Sequence, residues 1–556
     1  MNDSLYGALR ERLFGTLERR ADATVLTFLD AKLEPAHFTG GQLLARAHEL
    51  AGRFRALGLE RGAPLGILSS AQPVQVLHFL GALEAGLMPA LLTPPSRKLS
   101  MAHYHEMLVG VTRRCRFAAL VADVVVPGLE TIVLAPGTLE CTRTLATRTQ
   151  PSGADDARQP PVSFLQFSSG TTGIKRGVRI ADAAVLAQLD TYAGAIALEP
   201  EDVIVSWLPL YHDMGFVACL LMPLAHGTPV VMLNPLDWVA RPASWLHAAS
   251  RFGGTLAWHP NFAFSFMAER AAAAADDPAV DLSRIRALFN CSEPATFASQ
   301  QRFLERFRAR GLRADVFRGC YAMAETTFAL THGRCDDPGY RDSSAAPGET
   351  PPAGAGPAIS VGRPLPGVRL EIVDETGTPL PERMPGEIRV RSPFNLAGYH
   401  HNPEDTAAAI RDGWYHTGDR GYFVGEELFV CGRAKDMLIV AGVNVWPQDV
   451  ESLACEAPGV HPGRAVAFSQ FDAASQTERL VVLAEPEPGR ELDPALDRAI
   501  VTAIRQRILA ALQVAQFDVH LVPPGWLSKS SSGKMARERN RARWAEQGQS
   551  GVAHAR

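Results

Sequence analysis

The chain has 556 residues, 46% of them hydrophobic and 21% charged, with a formal charge of -4. That length exceeds what one hydrophobic core usually supports, so more than one folded unit is expected. The near-neutral balance excludes a general attraction to nucleic acid or anionic lipid, so any anion site must be local.

Residues 5–20 are charged and amphipathic rather than a basic start followed by an apolar run, which indicates no secretion signal and predicts a cytoplasmic location. Residues 41–57 and 73–85 carry helical periodicity, while 64–68, 203–208 and 228–233 are short apolar runs of the kind buried strands show. Their alternation predicts α/β layers. Residues 142–161 and 343–357 lack periodicity and read as loops. The apolar stretch 215–225 is too short to span a bilayer, is interrupted by Pro223, and reads as core. The eight cysteines are scattered, with no C-x-x-C pair, and read as free thiols rather than metal ligands. After residue 436 the texture changes to a small α+β pattern, strand-like over 479–485 and helical over 493–512. The boundary is placed at Lys435, giving units 1–434 and 435–556.

The strand expected over 162–167 runs into Ser168-Ser169-Gly170-Thr171-Thr172-Gly173-Ile174-Lys175-Arg176-Gly177. Glycines let the backbone turn its N–H groups inward, hydroxyls add donors, and Lys175 and Arg176 bring positive charge. This is the composition of a phosphate cradle, although the G-x-x-x-x-G-K-[ST] spacing of a Walker loop is absent.

Six further motifs lie along the chain: Trp207-Leu208-Pro209-Leu210-Tyr211-His212-Asp213-Met214-Gly215, Asn290-Cys291-Ser292-Glu293-Pro294, Tyr321-Ala322-Met323-Ala324-Glu325-Thr326, Gly413-Trp414-Tyr415-His416-Thr417-Gly418-Asp419, Gly432-Arg433-Ala434-Lys435-Asp436 and Leu527-Ser528-Lys529-Ser530-Ser531-Ser532-Gly533-Lys534. With the loop, they resemble in their order the signature of the adenylate-forming superfamily, which includes acyl-CoA synthetases, fatty acyl-AMP ligases, firefly luciferases and peptide-synthetase adenylation domains. The resemblance covers nearly the whole chain. It implies a large N-terminal adenylate-forming domain of layered α/β subdomains and a small, mobile α+β C-terminal domain hinged at Lys435.

The resemblance also implies roles. ATP would be held by Ser168, Ser169, Gly170, Thr171, Thr172, Gly173 and Arg176 at its phosphates, by Ser292, Glu293, Pro294 and Tyr321 around adenine, and by Asp419 and Arg433 at the ribose and nucleotide. A carboxylate suits the ribose because it can accept from both hydroxyls. Glu325 becomes a magnesium ligand, assisted by the Thr171 hydroxyl, and a hard cation bridging phosphates does favour such oxygens. His212 becomes the aromatic gate beside the carboxylate pocket, and Lys534 the mobile catalytic lysine.

Within the superfamily, the segments Tyr211-His212-Asp213-Met214-Gly215, Pro260-Asn261-Phe262, Asn444-Val445-Trp446-Pro447-Gln448-Asp449-Val450-Glu451 and Pro94-Pro95-Ser96-Arg97 look most like fatty acyl-AMP ligases. That implies a fatty acid as substrate and the phosphopantetheine thiol of an acyl carrier protein as acceptor. An acyl-CoA synthetase using free coenzyme A is the main alternative. It is kept because residues 332–360, where fatty acyl-AMP ligases carry a structured insertion, are short and rich in Pro, Gly and Ala.

Three departures stand out: Ala322 for the usual glycine, Lys175-Arg176 for Pro-Lys, and Ser528 for proline. A methyl at Ala322 is expected to narrow the acyl tunnel and disfavour long saturated chains. Trp207, Phe216, Phe262 and Met323 are candidates for the pocket wall or for ordinary core. A hydrolase is disfavoured by the lack of a G-x-S-x-G elbow. A non-catalytic acyl-nucleotide binding module is disfavoured by the presence of Glu325, Asp419, Arg433 and Lys534.

Overall fold

The computed structural model describes residues 7–95, 101–123, 131–133, 143–146, 162–167, 176–293, 295–333, 341–342, 358–433, 438–440, 443–472, 477–489, 493–512, 517–529 and 535–547. Short strands form two seven-stranded sheets, among them the fully buried Met88–Leu92, Val230–Leu233 and Ala287–Cys291. In the first the order is Phe317–Cys320, Ala287–Cys291, Leu256–His259, Ile204–Ser206, Val230–Leu233, Thr24–Leu29 and Pro35–Thr39. Every neighbouring pair there is parallel except the last.

The second sheet runs Thr131–Val133, Arg143–Ala146, Ala119–Ala122, Pro64–Leu68, Met88–Leu92, Val162–Phe167 and Gly177–Ala181. Arg143–Ala146 pairs antiparallel with Ala119–Ala122, so the loop expected over 142–161 begins instead with a strand. The loop expected over 343–357 lies outside the described residues.

Helices cover these sheets where the sequence places them. Gly40–Ala56 starts at Thr39, which shares a reciprocal capping box with Gln42, and Gln72–Glu84 is almost wholly buried. The stretch 215–225 is core, as expected, but its first part, Met214–Leu221, is a π-helix rather than an α-helix. Gly215 allows the tight entry, since a side-chain carbon there would collide with the Pro209 carbonyl. Such widened turns are frequent at functional sites.

A third, five-stranded sheet is antiparallel and contains Arg369–Val373, Gly386–Arg391, Ile410–Arg411, Trp414–Val424 and Glu427–Arg433. From Leu438 onward the chain builds its own α+β core. The strands Val460–Asp472, Thr477–Pro486 and Phe517–Leu521 are packed by Pro447–Cys455 and Pro494–Leu512. The expected boundary at Lys435 lies outside the described residues. Among the described residues, no helix is long and apolar enough to cross a membrane. Cys115, Cys219, Cys291 and Cys320 are buried free thiols.

Candidate active site

Parallel strands bring the loops at their carboxyl ends to one edge of the sheet, which is where ligands bind in open α/β folds. Four strands of the first sheet do so here. Ile204–Ser206 leads into Trp207 and His212, Leu256–His259 into Pro260 and Asn261, Ala287–Cys291 into Ser292 and Glu293, and Phe317–Cys320 into Tyr321 and Glu325. Motifs spread over more than a hundred residues therefore meet.

The first cluster centres on Asp419. The Tyr321 hydroxyl donates to Asp419 Oδ2 at 2.7 Å, and Arg433 Nε donates to Oδ1 at 3.0 Å. Asp419 and Arg433 are register partners on adjacent antiparallel strands, so the sheet itself sets their approach. Burial, reinforced by the neighbouring Asp419 charge, pushes the Tyr321 phenol well above its ordinary pKa, which keeps it a donor. Each carboxylate oxygen has two acceptor sites, so both retain room for a further hydroxyl.

Ser292 and Glu293 follow the strand that pairs with the one leading to Tyr321. Ser292 adopts a left-handed φ of 74°, and its hydroxyl lies 3.8 Å from the Met214 sulfur. Glu293 Oε1 accepts from the Phe262 N–H at 2.8 Å, in the first turn of the helix Asn261–Arg270. An acidic side chain is favourable at that end of a helix, so this geometry gives Glu293 a helix-capping contact. Asn290 Nδ2 donates to Asn261 Oδ1 at 2.9 Å, and Thr296 N–H donates to the same oxygen at 3.0 Å. The Pro260-Asn261-Phe262 segment and the Asn290-Cys291-Ser292-Glu293 segment thus hold one another in place.

Glu325 lies in a short turn, Ala324–Thr326, and is only 7% exposed. Its Oε1 accepts from the Tyr399 hydroxyl at 3.2 Å, and its backbone carbonyl accepts from the Leu396 N–H at 2.8 Å. Among the described residues no cation pairs with this carboxylate. A buried carboxylate held by one neutral donor is costly unless a cation completes it. The residues therefore fit a magnesium ion, which takes one or two protein carboxylates together with phosphates and water. Among the described residues no larger cluster of metal-ligating side chains occurs. Arg176 does not reach Glu325. Its guanidinium lies 4.4 Å over the Tyr399 ring and 3.5 Å from Asp405.

His212 tilts against Tyr211 with ring centroids 4.9 Å apart. It lines a narrow cleft of about 10 Å³, room for no more than a water molecule, with Phe79, Leu91, Gln166, Tyr211 and Phe216. Phe216 is thus a wall residue, packed edge-on to Phe79 at 4.8 Å and Phe164 at 5.2 Å. Trp207 is core instead. It stacks on Trp238 at 3.5 Å and its indole N–H donates to His259 Nδ1 at 3.0 Å. Phe262 packs edge-on to that stack, and Met323 is half-buried against the same large core.

Ser168, Ser169, Gly170, Thr171, Thr172, Gly173, Pro294 and Lys534 lie outside the described residues. The structure adds two residues to the site that the sequence did not single out. Tyr399 supports Glu325, and Gln166, at the end of the strand before the glycine-rich loop, donates to the Thr327 carbonyl at 2.9 Å. Tyr399 had one available signal, an aromatic in a polar segment, Gly398-Tyr399-His400-His401-Asn402.

Residues 13–400 match a family model described as AMP-binding enzyme. A putative ligase of Mycobacterium tuberculosis, Rv1013, is 30% identical over 518 residues, covering 90% of this chain and 94% of that protein. The long-chain-fatty-acid–AMP ligase FadD32 of Mycolicibacterium smegmatis is 29% identical over 601 residues, covering 95% of this chain and 92% of that protein. A solved structure from a study of fatty acyl-adenylate ligases of E. coli and L. pneumophila superposes with a TM-score of 0.80 at 27% identity, covering 96% of this chain and 98% of that one.

Proposed function

The chain belongs to the AMP-binding enzyme family, and we propose that it activates a fatty acid with ATP and transfers the acyl group to the phosphopantetheine thiol of an acyl carrier protein. The observation that carries this reading is the meeting of two carboxylates at one sheet edge. Asp419 is shared by Tyr321 and Arg433, and Glu325 is buried without a protein cation among the described residues. The relatives named as fatty-acid–AMP ligases support the choice of acid.

In the first half-reaction a carboxylate oxygen of the acid attacks the α-phosphorus of ATP. The bond to the β-phosphate breaks, and pyrophosphate leaves. Asp419 accepts from the ribose hydroxyls, Arg433 holds it in register, and Tyr321 with Ser292, Glu293 and Pro294 bounds the adenine. His212, which lines the narrow cleft beside Phe216, would stand next to the reacting carboxylate and exclude water from it. The loop residues Ser168, Ser169, Gly170, Thr171, Thr172 and Gly173, with Arg176, receive the phosphates. Glu325 and the Thr171 hydroxyl would hold a magnesium ion, which would supply positive charge against the phosphates. Lys534 places a further cation at the developing charge, a contribution typically worth about 100- to 1000-fold in rate for one positioned donor.

In the second half-reaction the thiol sulfur attacks the acyl carbon and AMP leaves with the bonding pair. We place the hinge for this change at Lys435, so that residues 435–556 rotate, Lys534 withdraws and the thiol enters. The cytoplasm is the expected location of both steps. Acid-dependent exchange of labelled pyrophosphate into ATP tests the first half-reaction, and parallel offers of carrier protein and coenzyme A test the second. Transfer to coenzyme A alone would replace the carrier-protein reading with an acyl-CoA synthetase.

A further inference from the structure

Glu325 is held twice by one short strap. The Leu396 N–H donates to its backbone carbonyl at 2.8 Å, and three residues later the Tyr399 hydroxyl donates to its carboxylate at 3.2 Å. The same strap is fastened to the strand that begins directly after the glycine-rich loop. Arg179 N–H donates to the Gly398 carbonyl at 3.0 Å, Ala397 N–H to the Arg179 carbonyl at 2.9 Å, and His400 N–H to the Gly177 carbonyl at 2.7 Å. Tyr399 N–H is itself fixed by Thr406 Oγ1 at 2.9 Å. The tyrosine is 4% exposed, with the Arg176 guanidinium over its ring.

From this geometry we infer that Tyr399 is a positioning residue for the metal carboxylate. Its hydroxyl occupies one oxygen of Glu325 and thereby turns the other toward the cation, while the strap ties Tyr399 to the strand Gly177–Ala181. A carboxylate without such a partner rotates about its last side-chain bond, and that freedom must be lost when metal binds. Partners that orient a metal ligand typically contribute about 10- to 100-fold in metal affinity. The inference rests on the reading of Glu325 as the magnesium ligand.

The test uses the full chain in four forms: wild type, Tyr399→Phe, Glu325→Gln and the double variant. Two titrations with magnesium are made, one of thermal stabilisation by ATP without any acid, so that no turnover occurs, and one of pyrophosphate exchange. Tyr399→Phe is expected to raise the magnesium midpoint about tenfold in both. Its melting temperature without ligand should fall, because a buried hydrogen bond to a charged group is lost, so each magnesium midpoint is read as the shift over that protein's own ligand-free value. In the Glu325→Gln background the same change should add nothing, because the hydroxyl acts through that carboxylate. An unchanged midpoint in Tyr399→Phe, or an equal shift with and without Glu325, would overturn the inference. Wild-type stabilisation by ATP that ignores magnesium, or a midpoint that Glu325→Gln leaves in place, would overturn the reading of Glu325 as well.

Discussion

Asp419 and Arg433 face each other across an antiparallel strand pair, and the arginine Nε donates to one carboxylate oxygen at 3.0 Å while Tyr321 occupies the other at 2.7 Å. The carboxylate proposed to hold the ribose is therefore oriented before any nucleotide arrives. Preorganisation of this kind is where specificity and affinity are gained, because the ligand need not order the site.

Tyr321→Phe removes one of those two holds without emptying the site. A buried hydrogen bond to a charged group contributes about 1.5–3 kcal/mol, so urea unfolding should show a loss of that order. The KM for ATP should rise while the profile over carboxylic acids stays unchanged. A change confined to the acid profile would contradict the placement of Tyr321 on the nucleotide side.

Glu293 makes a helix-capping contact with the Phe262 N–H. Glu293→Ala should cost about 1 kcal/mol of stability, and Glu293→Gln, which keeps an acceptor oxygen, should recover most of it. Equal stability of all three proteins would remove the capping role.

Three buried histidines predict acid sensitivity. Burial lowers His259 to about 3, and His78 and His332 to about 4, against an ordinary value of 6.5. All three are neutral in the fold at neutral pH. Below the ordinary value the unfolded chain binds more protons than the folded one, so stability present above pH 6.5 is lost as pH falls toward the folded values. The slope should approach about 1.4 kcal/mol per pH unit for each histidine. Urea midpoints measured from pH 7.5 to 5 should fall steadily below about 6.5, and a flat profile would show that these side chains reach solvent.

The amount legible in the sequence differs by kind of feature. Helix 41–57 was readable because its apolar spacing is local, and the structure places it at Gly40–Ala56. The apolar run 203–208 gave a strand that stops at Ser206, because the Ser206 hydroxyl takes the Leu208 N–H at 3.1 Å and ends the ladder. Trp207 and Phe216 looked alike as candidate wall residues. What separates them is Trp238, whose stacking on Trp207 depends on a fold-level meeting. Tyr399 and Glu325 are 74 residues apart, and Glu293 caps a helix 31 residues before it. No local pattern encodes such contacts. The order of motifs along the chain was legible because chemistry constrains those residue types directly.

Ala322 is half-buried and forms a bridge to Ala329 next to Met323 and Glu325. Ala322→Gly should extend the range of accepted saturated acids toward longer chains, because removing a methyl relieves a packed wall. Identical chain-length profiles for the two proteins would separate Ala322 from the acyl tunnel.

The most direct measurement is acid-dependent exchange of labelled pyrophosphate into ATP, run over a panel of carboxylic acids and followed by transfer offered in parallel to an acyl carrier protein and coenzyme A. The account predicts exchange with fatty acids, its loss in Lys534→Ala, and transfer to the carrier protein. Absence of exchange with every acid would contradict it and leave a protein that binds acyl nucleotides without making them.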